Sequence, residues 1–283
     1  MSSIRLLVTG LCLAALGALS CSNDPTGTST IPGSADVFFS LNVDGTPLQL
    51  NSMIYANPAG TVYSIKELRF IISDLRLQED TGKWVVLKNV HYFDIGDAST
   101  QVIQVSSLPH ANYQSVSFTF GLTTAKNTPN AYPAIPSIMN WPSGLGADLG
   151  YHYMQLEGNY ETDAVSHATA GYTTHMGPRH LDGTNPDYLG VVDAPAKDFS
   201  FPISIAFTPA HIHEGGHGEL DITINLNGWY KDHTPADGVD TGYDFKTLSN
   251  QMIMGDLDAQ GKLQTNGQEC FNATMVAHGG HDH

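Results

Sequence analysis

The chain has 283 residues, with 28 acidic against 12 basic side chains and a formal charge of −16. That balance argues against nucleic acid as a partner, since binding phosphate backbones needs a basic surface; an acid excess of this kind chiefly serves solubility. The 13 histidines are more informative, because they outnumber all lysines and arginines together, and imidazole is the commonest side-chain ligand of transition metals.

At the N-terminus, Arg5 precedes an apolar run from Leu6 to Leu19. The run is too short to cross a bilayer comfortably and has the length of a signal-peptide core. It ends in Ala18-Leu19-Ser20-Cys21, which resembles a bacterial lipobox and implies lipidation of Cys21 as the mature N-terminus. A plain secretory signal is the alternative. Residues 1–21 are thus expected to be a lipoprotein signal peptide, and 22–34 a flexible tether rich in Ser, Thr, Pro and Gly. The expected location is the cell envelope, with a lipid-anchored chain facing the periplasm or on the outer membrane. Ser22, where inner-membrane retention favours aspartate, tilts the expectation towards the outer membrane.

The 262 residues beyond position 21 are enough for one large β domain or two small ones. Cys12 leaves with the signal and Cys21 carries the lipid, so Cys270 stands alone in the mature chain. No intramolecular disulfide is then available despite the oxidising compartment, and stability must come from the core.

Beyond the tether the dominant pattern has period two. Strands are expected at 36–43, 62–66, 68–77, 84–88, 101–105 and 151–157. Val116, Phe118 and Phe120 alternate with Ser115, Ser117 and Thr119. Ile203, Ile205 and Phe207 do the same, as do Leu220, Ile222, Ile224 and Leu226. Each run reads as a half-buried strand. Asp44-Gly45, Asn57-Pro58, Thr81-Gly82 and Asn227-Gly228 supply turn chemistry between them. Helix is expected only around 244–254 and at 194–197. Many short strands with little helix predict an all-β fold, an antiparallel β-sandwich. Two long loops, 123–150 and 162–196, interrupt it, and loops of that length are usually functional or disordered.

The sharpest motif is His211-Ile212-His213, followed by Glu214-Gly215-Gly216-His217. In an extended chain, residues two apart share a face at roughly 6.5–7 Å, so two imidazoles can converge on one ion. His217 could bend back to join them. His152, in Tyr151-His152-Tyr153-Met154, and His175, before Met176-Gly177, are further candidates, each equally readable as a packed structural histidine. His278, His281 and His283 lie in an expected His-rich tail, 276–283. A histidine site in an oxidising compartment, with a methionine nearby, leans to copper, with zinc as the alternative. Clustered cysteines for structural zinc and an acidic calcium loop are both missing from the sequence. So are a nucleophile elbow, a His-Glu-x-x-His motif and a phosphate loop, which makes an enzyme the weaker expectation.

Several strings together resemble the MbnP-like family. Val43-Asp44-Gly45-Thr46-Pro47-Leu48 leads to Ser64-Ile65-Lys66-Glu67-Leu68-Arg69-Phe70-Ile71-Ile72-Ser73-Asp74-Leu75. Then come His91-Tyr92-Phe93-Asp94, Phe118-Thr119-Phe120-Gly121-Leu122, Met139-Asn140-Trp141, Tyr151 to Gly158, and Thr174-His175-Met176-Gly177. The resemblance spans 35–275 and implies an exported β-sandwich associated with copper. It also implies histidine ligands and a tryptophan oxidised to kynurenine by an MbnH-type di-haem peroxidase-like partner. A related copper protein uses a His-x-His pair, the spacing of His211 and His213. No Trp-x-His follows any tryptophan here, so the third ligand stays open among His217, His175 and His152, and Trp141 is the candidate for oxidation.

The expected function is that of an exported copper-binding lipoprotein, not a catalyst. The alternatives are a surface module that recognises glycan or protein through its long loops, and a metal-dependent enzyme.

Overall fold

In the computed structural model the described residues are 31–142, 149–179, 197–231, 244–248 and 253–279. The expected signal, Cys21 and most of the tether lie outside them, as does nearly all of the expected helix at 194–197. Twelve strands form two sheets. They are β1 (Gly33–Val43), β2 (Thr46–Pro47), β3 (Tyr55–Ala56), β4 (Val62–Glu79), β5 (Trp84–Asp94), β6 (Val102–Leu108), β7 (Ala111–Phe120), β8 (Met154–Asp163), β9 (Ala168–Met176), β10 (Phe201–Ile212), β11 (His217–Asn225) and β12 (Phe271–His278).

The five-stranded sheet runs β12-β11-β1-β2, with β6 also paired to β1. The seven-stranded sheet runs β10-β7-β4-β8-β9, with β3 and β5 also on β4. Every named pair is antiparallel except β1 with β11, which run parallel from Ser34↔His217 to Asn42↔Asn225. The expected sandwich is present, with this one parallel pair added.

The two expected strands 62–66 and 68–77 are one. β4 pairs β8 through Tyr63–Phe70 and β7 through Ile72–Glu79. At the joint, Ile71 N donates to Tyr153 O (2.9 Å) and Ile71 O accepts from Gly121 N (2.8 Å). Gly121 has φ +85°, and a Cβ there would stand 2.5 Å from the Tyr153 ring. Only glycine meets both conditions.

Aromatic side chains fill the space between the sheets. Phe39 of β1 packs edge-on to Phe70 and Phe93, both at 5.5 Å. Phe271 of β12 meets Phe118 at 5.4 Å and Phe120 at 5.6 Å. Such pairs add ~0.5–1.5 kcal/mol each beyond area burial, which suits a core with no disulfide among the described residues. Cys270 is buried, and burial pushes its thiol pKa well up, so it offers no thiolate.

Three sequence expectations change. The loop 162–196 is entered by strand β9, and 180–196 lie outside the described residues. The tail expected at 276–283 begins inside β12, where His278 pairs with His217. Helix near 244–254 consists of α1 (Phe245–Leu248) and a 3-10 turn at Ile253–Gly255. A longer helix, α2 (Leu257–Gly267), follows and is capped by Asp256, whose carboxylate accepts from Ala259 N at 3.0 Å. Among the described residues, no helix is long and apolar enough to cross a membrane.

Candidate metal centre

The fold divides the five candidate histidines among three places. His211, near the end of β10, and His213, just beyond it, are exposed. Their ring centroids lie 4.4 Å apart, at an interplanar angle of 76°, the closeness that the His-x-His spacing implies. His211 Nδ1 is 2.8 Å from Asn112 Oδ1, and Asn112 Nδ2 donates to Asp80 at 2.8 Å. His217 opens β11 in the other sheet. Its Nδ1 is 2.9 Å from Ser34 Oγ, its Nε2 is 3.8 Å from Asp36, and its ring faces His278 at 6.3 Å. The pair and His217 therefore have different surroundings on different sheets.

His152 and His175 meet inside the protein. Their rings stand 5.2 Å apart at 86°, and Trp141 packs against His152 at 4.7 Å. His152 and Trp141 are each 3% exposed. Three separate segments supply these side chains: the turn after the 3-10 helix Ser137–Met139, the residues entering β8, and the end of β9. An isolated bridge between Asn140 and Tyr151 ties the first two, and Met154↔Met176 and Gln155↔His175 align β8 with β9. Gly177 makes room for the tryptophan, since a Cβ there would lie 2.1 Å from Trp141 Cζ3.

Hydrogen bonding orients each imidazole. His152 Nδ1 donates to Met139 O at 3.1 Å, closer than Gln155 Nε2 at 3.4 Å. Its Nε2 then carries the lone pair, and it faces Met254 Sδ at 3.3 Å. Burial, followed by the neighbouring His175, lowers the His152 pKa to about 4, so the ring is neutral at physiological pH. His175 Nε2 lies 2.8 Å from Glu157 Oε1. The hydrogen bond from His175 is the first cause of a lowered Glu157 pKa. An ionised carboxylate only accepts, so Nε2 carries the proton and Nδ1 the lone pair. That Nδ1 is buried with no hydrogen-bond partner among the described residues, and so is Trp141 Nε1.

This is how metal-binding histidines are held: one nitrogen donates to a carbonyl or carboxylate, leaving the other as a fixed, basic donor. A thioether beside an imidazole forms a soft donor pair suited to Cu(I), and less so to hard oxygen-seeking cations. The residues present therefore fit a copper ion. Among the described residues no three His, Cys, Asp or Glu groups form a metal-holding set; the further soft atom beside His152 is the Met254 sulfur. Sequence reasoning named His152, His175 and Trp141 but not Met254, which comes from 102 residues further along. Nothing in its local sequence marks it.

The MbnP family model matches residues 32–252. Among solved structures the chain is similar to MbnP from Methylosinus trichosporium, at 14% identity and TM-score 0.44, over 67% of this chain and 76% of that one. No curated protein matches.

Proposed function

The chain belongs to the MbnP family, and on that premise we propose that it is an exported copper-binding protein whose ion is held by His152 and Met254, with His175 beside them. The observation that carries this reading is the 3.3 Å approach of His152 Nε2 to Met254 Sδ, beside a buried His175 Nδ1 that has no hydrogen-bond partner among the described residues. Supporting it, the opposite nitrogen of each imidazole is committed, to Met139 O and to Glu157. The protein binds and does not catalyse. Trp141, packed against His152 at the centre, is the residue a partner di-haem protein of the MbnH type would oxidise. The N-terminal signal and a lipid on Cys21 hold the chain in the cell envelope.

The test is anaerobic loading of the full chain with Cu(I), with His278, His281 and His283 replaced by alanine so that the C-terminal histidines contribute nothing. The expected result is one tightly held copper per chain, with sulfur in its coordination shell by X-ray absorption. Failure to retain stoichiometric copper, or a shell of nitrogen and oxygen alone, would overturn the assignment.

A further inference from the structure

The two sides of the proposed centre come from parts of the chain far apart in sequence, and one side chain joins them. Gln260 of α2 is fully buried, at 0% exposure. Its amide nitrogen donates to His175 O at 2.7 Å and to Ile253 O at 2.9 Å. Its amide oxygen accepts from Gly177 N at 3.3 Å. One amide thus grips the end of β9 on both sides of Met176, and also the carbonyl of the residue before Met254. Ile253 O is held a second time by Asp256 N at 3.2 Å, at the start of α2. Gln260 N itself donates to Asp256 O at 3.0 Å.

A turn of three residues would not by itself hold a methionine against a histidine. Methionine is unbranched, with three rotatable bonds, and adapts to whatever space surrounds it. The position of its backbone therefore decides whether the sulfur reaches His152. We infer that Gln260 is the positioning residue of this centre: it clamps the Ile253–Gly255 turn to the His175–Gly177 strand end and so sets Met254 Sδ beside His152 Nε2. The inference rests on the copper reading above and adds to it a named residue that touches neither the metal nor its ligand atoms.

A double-substitution cycle separates this role from ordinary structural support. Cu(I) affinity is measured by competition with a chromogenic chelator for the full chain, Gln260→Leu, Met254→Ala and the double variant. Loss of a hydrogen-bond partner that orients a ligand costs ~10–100-fold in affinity, so Gln260→Leu should weaken binding by about that factor. In the Met254→Ala background it should add little, because the atom it positions is already gone. The sulfur signal in X-ray absorption should fade in Gln260→Leu while the nitrogen signal stays. Equal weakening by Gln260→Leu in both backgrounds would overturn the positioning role. If Met254→Ala binds as tightly as the unaltered chain, the copper reading and this inference fall together. If His152→Ala and Met254→Ala each weaken binding measurably but the cycle is additive, this inference alone falls. Should Gln260→Leu not fold, Gln260→Glu, which keeps the size and the acceptor for Gly177, enters the same cycle under the same criteria.

Discussion

The exposed pair His211–His213 and the inner pair of buried His152 and partly buried His175 are nearly alike in ring geometry, with centroids 4.4 and 5.2 Å apart and interplanar angles of 76° and 86°. They differ in what surrounds them. His211 leans on Asn112 at the protein surface, where water competes for each nitrogen. At the inner pair, one nitrogen of each ring is tied to protein and the other faces a thioether or no partner. Density of histidine in the sequence therefore says less about a metal site than the fate of the second nitrogen does. A local His-x-His motif fixes distance but not desolvation, and desolvation with a fixed tautomer makes a ligand.

The largest effect expected from this contrast is on copper affinity. Replacing His152 by alanine should weaken Cu(I) binding by more than the ~10–100-fold typical of losing a ligand's supporting hydrogen bond. Replacing both His211 and His213 should change it less than about threefold. Chelator competition on chains lacking the C-terminal histidines would measure both. If the surface double variant proved the weaker binder, the ranking of the two regions would be reversed.

A third histidine sharpens the comparison through pH. His91 stacks on Phe39 at 5.7 Å and donates from Nε2 to Thr100 O at 2.8 Å; burial is the main cause of its pKa of about 4. Like His152 it is neutral, though only partly buried, and among the described residues it is not set beside a thioether or a second histidine. For both rings the folded pKa lies below the unfolded value of ~6.5. The unfolded chain therefore binds more protons within that window. Stability is intact above about pH 6.5 and falls as pH drops towards 4, by up to about 3 kcal/mol per histidine. Urea unfolding of the metal-free protein at pH 7 and at pH 4.5 should show the loss. His91→Asn should reduce it while leaving copper affinity unchanged. An unchanged pH dependence in that variant would remove burial of His91 as its cause.

Much of this architecture could be read from the sequence, and the exceptions have physical reasons. Residues 115–120 of β7, 203–207 of β10 and 220–226 at β11 alternate as strands do, although in β7 the polar Ser115 and Ser117 are buried as well. β12 alternates as well, but through Phe271, Ala273 and Met275, and alanine is a weak strand former. α2 was hidden because its buried positions include Gln260 and Asn266 as well as Leu257 and Leu263. With Gly261 in its middle, neither apolar periodicity nor helix propensity announces it. The same polarity that hides α2 from a periodicity search places Gln260 beside the candidate centre. His152, His175 and Trp141 could each be nominated from sequence, but their convergence required β8, β9 and the turn at Asn140 to be aligned. Met254 could not be nominated, since a single methionine in a short turn carries no pattern.

The smallest effect concerns the partner of His175. Glu157 is 2.8 Å from His175 Nε2 and half-buried, with side-chain exposure of 33%. As an ionised acceptor it fixes the proton on Nε2 and so presents the Nδ1 lone pair inwards. Glu157→Gln keeps the size and an oxygen that can accept, but removes the charge that stabilises a metal-bound imidazole. Cu(I) affinity should fall by about tenfold, at the lower end for a ligand-orienting partner, because His152 and Met254 keep their own supports. His175→Ala should cost at least as much, and combining it with Glu157→Gln should add almost nothing, since the carboxylate acts only through that ring. Additive losses would mean that Glu157 influences the ion by a route other than His175. No loss from either substitution would restrict the centre to His152 and Met254, leaving His175 as a packed neighbour of the same kind as His91.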